Sequence, residues 1–140
     1  MRVLMWVGVL VVAAVPFAAM ADERELPEAP QKVTIRLSEY KFEPARVEVR
    51  RGQPVELHLV NSGTVLHEFV GDLLAKTTVD VESGGAIALV HGIEELEVLP
   101  GSSVVLRFTP QTVGEFPFQC DAEDPVSHHE EGMKGTLVVR

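Results

Sequence analysis

Short runs of alternating apolar and polar residues constrain the fold of this chain more than any other feature of its sequence. Val33, Ile35 and Leu37 share one parity, with polar residues between them. Successive side chains of a β-strand point to opposite faces of a sheet, so such a run predicts a strand with one buried face. The alternation recurs at Val47 and Val49, at Val55, Leu57 and Leu59, at Val104, Leu106 and Phe108, and at Phe116, Phe118 and Cys120.

Turn-forming sequences separate these runs. They lie at Arg51-Gly52, Asn61-Ser62-Gly63, Pro100-Gly101 and Val113-Gly114. Short strands at this spacing predict an all-β fold, a sandwich or barrel of about seven or eight strands. Between residues 71 and 92 the alternation fades, and we expect an irregular or partly helical excursion there. The pair Gly84-Gly85 argues against one continuous helix in that stretch.

The first 21 residues differ from the rest of the chain. Arg2 precedes an apolar run from Val3 to Val15, and a stretch of small residues ends at Ala21. This order predicts a cleaved secretory signal over residues 1–21, with an uncleaved membrane anchor as the alternative. Residues 22–31 are rich in Pro, Glu and Ala and predict a flexible leader. We therefore expect a periplasmic protein with no membrane span after cleavage.

Charge and cysteine content exclude several classes of protein. The chain has 12 Lys and Arg against 21 Asp and Glu, and without residues 1–21, whose one charged residue is Arg2, the balance is 11 against 21, a net charge of −10. This excess of acid argues against nucleic acid as a partner. Cys120 is the single cysteine, so an internal disulfide, a zinc ribbon and a paired-cysteine haem attachment are excluded.

The segment that follows Cys120 concentrates metal-binding side chains. His128, His129 and Met133 lie within thirteen residues of Cys120. One thiolate, one imidazole and one thioether form a soft donor set that suits copper. A second imidazole from elsewhere would complete the set, and His67, which follows the turn at Asn61, is the best candidate.

Two stretches of the chain resemble the cupredoxin family. The front half carries Tyr40-Lys41-Phe42-Glu43-Pro44 and Asn61-Ser62-Gly63 leading to His67; the back half carries Gly114-Glu115-Phe116 running to Cys120, then His, Gly132-Met133 and Leu137-Val138-Val139. The resemblance implies a Greek-key β-sandwich over residues 32–140 that holds one type 1-like copper cycling between Cu(I) and Cu(II). The ligands carried over from the family are His67, Cys120, His128 and Met133, with His129 as the alternative to His128.

The chain departs from the family pattern in the metal-binding loop. The step of eight residues from Cys120 to His128 is longer than usual, and the loop carries five acidic residues and no basic one. We expect these carboxylates to surround an exposed histidine and to attract a basic redox partner. Glu68 follows His67 where relatives place an asparagine, and a carboxylate can only accept hydrogen bonds.

These features predict a periplasmic one-electron carrier. The alternative is a copper-resistance protein that sequesters copper or hands it on, to which a long acidic loop with two adjacent histidines is also suited. An enzyme is not expected, because four protein ligands leave no open position for substrate and no acid and base pair stands out. The sequence leaves the oligomeric state open.

Overall fold

A computed structural model describes residues 28–140 of the chain. The predicted signal over residues 1–21 lies outside the described residues, as does most of the predicted leader. Residues 28–30 have no regular structure, and the first strand begins at Gln31, the last residue assigned to the leader. Within residues 28–140 no helix is long and apolar enough to cross a membrane.

The described residues form eleven strands and one short helix. The elements in chain order are β1 (Gln31–Ser38), β2 (Lys41–Glu43), β3 (Arg46–Val49), β4 (Val55–Asn61), β5 (His67–Gly71), α1 (Asp72–Ala75), β6 (Thr78–Ser83), β7 (Ala86–His91), β8 (Glu95–Val98), β9 (Ser103–Phe108), β10 (Gly114–Gln119) and β11 (Lys134–Val139).

The strands are arranged in two sheets. One sheet has six strands in the order β2-β1-β4-β9-β6-β7, and the other has five in the order β3-β11-β10-β5-β8. Neighbours in each sheet are often distant in sequence, as in Greek-key sandwiches, and the pairs β1–β4 and β3–β11 are parallel. The predicted all-β sandwich is therefore confirmed.

The alternating residues form the core between the two sheets. Ile35 on β1 pairs with Leu59 on β4, and Leu57 pairs with Leu106 on β9. These four side chains are fully buried, whereas the residues between them on β4 are only partly covered. The period-two pattern predicted that these side chains share the buried face, because side chains alternate between the two faces of a strand.

The structure has more strands than the seven or eight predicted, because several of its strands show little apolar alternation in their sequence. β2 and β3 are only three and four residues long. The stretch that was expected to be an irregular or partly helical excursion forms α1 and the β6–β7 hairpin. The hairpin turns at Gly84 and Gly85, whose φ angles of 57° and 82° fit a type I′ turn. Most of β7 is exposed on both faces, so no buried parity marks it.

Candidate metal centre

His67 is the first residue of β5 and is fully buried. β5 pairs with β8, and His67 lies opposite Val98. The buried amide of Asn61 holds the loop that leads to His67. Its Nδ2 donates to the carbonyls of Val65 and Val98 at 2.9 and 2.8 Å, and its Oδ1 accepts from the N–H of Gly63 at 2.9 Å. The turn that the sequence marks at Asn61 thus fixes the approach to the first histidine.

Glu39 fixes the same loop from the other side. Its carboxylate accepts hydrogen bonds from the N–H and hydroxyl groups of Thr64 and from the N–H of Val65. These bonds, led by the one from the Thr64 N–H, lower the pKa of Glu39 from its ordinary value of 4.5 to about 2. A side chain at Gly63 would collide with this carboxylate, because an added Cβ lies 2.7 Å from Glu39 Oε1. A larger residue at position 63 would therefore have to displace the Glu39 carboxylate that holds the loop.

We expect Glu39→Gln to destabilise the protein near neutral pH, with a smaller effect in acid. The folded-state pKa lies below the unfolded one, so the carboxylate stabilises the fold fully above about pH 4.5 and loses this effect as the pH falls towards 2. Urea unfolding at a series of pH values would measure it. The exposed Glu43→Gln serves as control, and a stability difference for Glu39→Gln that does not narrow in acid would contradict the prediction.

Cys120, His128 and Met133 are held in one compact loop between β10 and β11. The N–H of Cys120 donates to the carbonyl of Met133 at 3.1 Å, and the N–H of Met133 donates to the carbonyl of His128 at 3.0 Å. The N–H of His128 in turn donates to the carbonyl of Ala122 at 3.0 Å. The side chains of all three predicted ligands are fully buried. These main-chain hydrogen bonds fix the path of the loop that carries the three side chains.

Three donor atoms converge where the start of β5 meets the loop between β10 and β11. Nδ1 of His67 lies 3.1 Å from Nδ1 of His128, and Sγ of Cys120 lies 3.3 Å from the same His128 nitrogen. The donor atoms of these three residues all lie within 4.8 Å of one another. The structure therefore brings together a thiol and two imidazoles from residues 61 positions apart in the chain.

Further contacts orient the three side chains. The Nε2 of His128 lies 3.1 Å from the carbonyl oxygen of Asp124. A proton on Nε2 would be donated to this carbonyl, which leaves Nδ1 as the free acceptor facing the cluster. The Tyr40 ring packs on His128 with ring centroids 4.7 Å apart. The N–H of Glu68 donates to Cys120 Sγ at 3.2 Å.

Burial shifts the pKa values of the cluster towards neutral side chains. Desolvation raises the pKa of the Cys120 thiol, although N–H groups of Glu68 and Ala122 oppose the shift. Desolvation also lowers the pKa of His67, and His128 contributes in the same direction. The pKa of Glu68 is raised by burial and by the nearby Glu95. Burial therefore favours the uncharged forms of the Cys120 thiol and the His67 imidazole.

The structure separates the two adjacent histidines. His128 belongs to the buried cluster, whereas the His129 side chain is 37% exposed and its Nδ1 lies 3.9 Å from the Asp121 carboxylate. Met133 is fully buried in the same loop. The five acidic residues of the loop are exposed, but the expectation that they surround an exposed histidine is wrong. The extra loop residues fold over His128, and the carbonyl oxygen of Asp124 lies within hydrogen-bonding distance of its Nε2.

Sequence reasoning did not assign a role to Glu39 or to the main-chain carbonyl of Asp124, and it used Tyr40 only as part of a family resemblance. Tyr40 and His128 are far apart in the chain, and they meet because the β1–β2 hairpin reaches the loop between β10 and β11. The contribution of Asp124 comes from its main-chain carbonyl, which carries no sequence signal. Glu39 acts on a loop 25 residues away. No local pattern could have marked these contacts.

A two-sheet Greek-key sandwich with a buried Cys and two buried His at one end is the arrangement of a small copper-binding β-protein. The family model described as a cupredoxin-like domain matches residues 8–139. The chain therefore belongs to the cupredoxin-like family, as its sequence motifs indicated.

Individual relatives agree with this assignment. The copper-resistant cuproprotein CopI of Rubrivivax gelatinosus is 33% identical over 104 residues, which cover 71% of this chain and 60% of that protein. The chain thus spans somewhat less than two thirds of this relative. Auracyanin from Roseiflexus castenholzii has a similar fold, with a TM-score of 0.57 and 21% identity over 82% of this chain and 99% of that one. A copper nitrite reductase from Nitrosomonas europaea has a similar fold, with a TM-score of 0.62 and 13% identity over 86% of this chain and 52% of that one.

The donor atoms themselves fit copper, which is the cofactor that the family and the site define. Two imidazole nitrogens 3.1 Å apart cannot both remain unprotonated without lone-pair repulsion, and a cation placed between them would relieve it. Thiolate sulfur and imidazole nitrogen are donors that copper accepts in both of its common oxidation states. The same fold is found in chains named as oxidases and nitrite reductases and in auracyanins, so the fold alone does not separate an enzyme from a carrier.

Proposed function

We propose that the protein is a periplasmic one-electron carrier whose copper is held by His67, Cys120, His128 and Met133. The observation that carries this proposal is the convergence of Nδ1 of His67, Nδ1 of His128 and Sγ of Cys120 within 4.8 Å in a fully buried site. Copper supplies a one-electron couple there by cycling between Cu(I) and Cu(II). Met133, buried in the same loop, is assigned the weaker fourth position.

The chain's own contribution is rigidity. His67 is fixed at the start of a paired strand, and the loop before it is held by Asn61 and Glu39. Hydrogen bonds within the main chain fix the loop from Cys120 to Met133. A site held by strands and bonded loops keeps its side chains in place when the charge at the centre changes, which favours electron transfer.

Burial of the donors favours a carrier over an enzyme. His67, Cys120, His128 and Met133 have no exposed surface, so no substrate can reach their donor atoms without opening the loop. Burial also excludes water from the site. The loop surface above carries exposed carboxylates at Asp121, Glu123 and Asp124, which suits a redox partner with a basic docking surface.

A second candidate function is copper resistance, by sequestration or transfer of copper. The observation that favours it is the 33% identity to a protein named as a copper-resistant cuproprotein. The partly exposed His129 beside Asp121 could then take part in handling additional copper at the surface. Copper stoichiometry and the copper tolerance of cells that lack or overproduce the protein would separate the two functions.

The test of the shared site is Cys120→Ser. Titration of the wild-type protein with Cu(II) should give one tightly held copper per chain and an intense sulfur-to-copper absorption band. We expect that band to be absent in Cys120→Ser, because a hydroxyl replaces the thiolate. An unchanged absorption band would rule out the site. A reversible one-electron couple supports the carrier, whereas several coppers per chain and a copper-dependent growth defect support resistance.

A further inference from the structure

The free edges of the two sheets differ in their charge. Among the described residues the strands at the four edges are β2, β3, β7 and β8. Three of them carry charged residues at alternate positions: Lys41 and Glu43, Arg46 and Glu48, and Glu95 and Glu97. β7 has the sequence AIALVH, with no acidic or permanently basic residue. Charged side chains are a common protection of edge strands against pairing with another chain, and β7 lacks them.

β7 is also the most apolar exposed strand. Ile87 is 70% exposed and Leu89 is 73% exposed. These exposed fractions are larger than that of any other large hydrophobic residue in the described part of the chain. They lie on one face, opposite Glu82 and Asp80 of β6. Two large apolar side chains on an unprotected edge make this strand suited to pairing with another chain.

The hairpin geometry determines which backbone groups are free. Ser83 and Ala86 flank the two-residue turn and face each other, so they form a hydrogen-bonded pair. Hydrogen-bonded and non-bonded pairs alternate along an antiparallel ladder. Ala88 and Val90 therefore point their backbone groups towards β6, and Ile87 and Leu89 direct theirs to the free edge. The exposed apolar residues thus also carry the free donors and acceptors.

We propose that β7 is the interface of a symmetric dimer, in which β7 of one copy pairs antiparallel with β7 of a second copy. The two-fold axis passes beside Ala88. Ile87 of each copy then lies opposite Leu89 of the other, and each such pair exchanges two backbone hydrogen bonds. The two six-stranded sheets become one continuous sheet.

The sequence of β7 matches itself in this arrangement. Read in either direction from Ala88, a large apolar residue comes first, and a smaller one, Ala86 or Val90, comes next. A two-fold interface needs such self-complementarity, whereas pairing with a different protein would not require it.

Charge repulsion between the two copies is weak at this edge. The copies are both acidic, but the nearest acids, Asp80 and Glu82, lie on β6. The two β6 strands are three strand spacings apart, roughly 14 Å, which exceeds the screening length of about 8 Å in physiological salt.

The dimer leaves the metal centre uncovered. β7 and β2 are the opposite edges of the six-stranded sheet, with four strands between them. Tyr40, which packs on His128, lies in the turn next to β2. Four backbone hydrogen bonds and two apolar pairs make a small interface, so we expect a dimer that dissociates on dilution and tightens at higher salt.

A cysteine placed at the axis tests the register. In Ala88→Cys the two introduced thiols would belong to a directly opposite, non-bonded pair, whose Cα separation of about 4.5 Å allows a disulfide. In the control Ala86→Cys they would lie four residues apart along the strands. Oxidation by glutathione disulfide, in the absence of copper, should give covalent dimers of Ala88→Cys at least tenfold faster than of Ala86→Cys, and the native Cys120 is buried. Equal rates, or no covalent dimer of Ala88→Cys, would overturn the proposal.

Sedimentation measures the association without a covalent link. The wild-type protein should show a monomer and dimer equilibrium that Leu89→Lys shifts at least tenfold towards the monomer. Val113→Lys places the same charge at another exposed apolar residue, 57% exposed, and should leave the equilibrium unchanged. A wild type that stays monomeric at millimolar concentration, an open series of larger assemblies, or equal effects of the two variants would contradict a dimer through β7.

Discussion

His128→Ala should abolish tight copper binding, whereas His129→Ala should preserve it. The first variant removes a buried nitrogen 3.1 Å from His67 Nδ1 and 3.3 Å from Cys120 Sγ. The second removes a partly exposed ring beside Asp121. Replacing a residue that merely supports a metal ligand costs about 10- to 100-fold in affinity, so loss of a ligand should exceed about 100-fold. Competition titration with a copper chelator would measure the two affinities.

The unfolding free energy of the metal-free variants separates a ligand role from a structural one. His128→Ala leaves a cavity next to Tyr40, so some loss of stability is expected without metal. A ligand role predicts that copper stabilises the wild type and His129→Ala but not His128→Ala. If His129→Ala lost copper binding and His128→Ala retained it, the assignment of the ligand would be reversed.

The period-two pattern predicted the fold because burial on one face leaves a repeat in the sequence. Ile35, Leu57 and Leu106 follow this repeat and lie in the core. β7 does not, because most of its residues are exposed on both faces. The two turn glycines of its hairpin argued only against one continuous helix. The sequence therefore predicted the strands that face the core better than the one at an exposed edge.

The candidate site also has parts that the sequence could predict and parts that it could not. Cys120, His128 and Met133 are close in sequence, so their residue types and spacing were enough to suggest a metal loop. His67 is remote, and its assignment needed the preceding turn and the family resemblance. The burial of His128 was not predictable, because it depends on the path of residues 121–127 over the ring and on a main-chain carbonyl. The roles of these residues as copper ligands stay predictions.

Among Gly→Ala changes within residues 28–140, Gly135→Ala should cause the largest loss of stability. Gly135 lies opposite Phe118 in the β10–β11 pair. An added Cβ would lie 2.3 Å from two atoms of the Phe118 ring and 2.7 Å from the carbonyl oxygen of Ala45. The ring cannot move freely, because it stacks on Phe69 and meets Phe42 edge to face. Overpacking of this kind costs on the order of 3 kcal/mol, a large part of the stability of a small domain.

Urea unfolding of Gly135→Ala and Gly52→Ala would separate overpacking from loss of glycine flexibility. Gly52 has φ 78° and nothing within 4 Å of an added Cβ, so its replacement should cost only about 1 kcal/mol. Combining Gly135→Ala with Phe118→Leu should cost less than the sum of the two single changes, because the smaller side chain removes the collision. Additive costs would show that the Phe118 ring is not the obstacle. Since Phe118 is two residues from Cys120, the same collision should also weaken copper binding in Gly135→Ala, and Phe118→Leu should restore part of it.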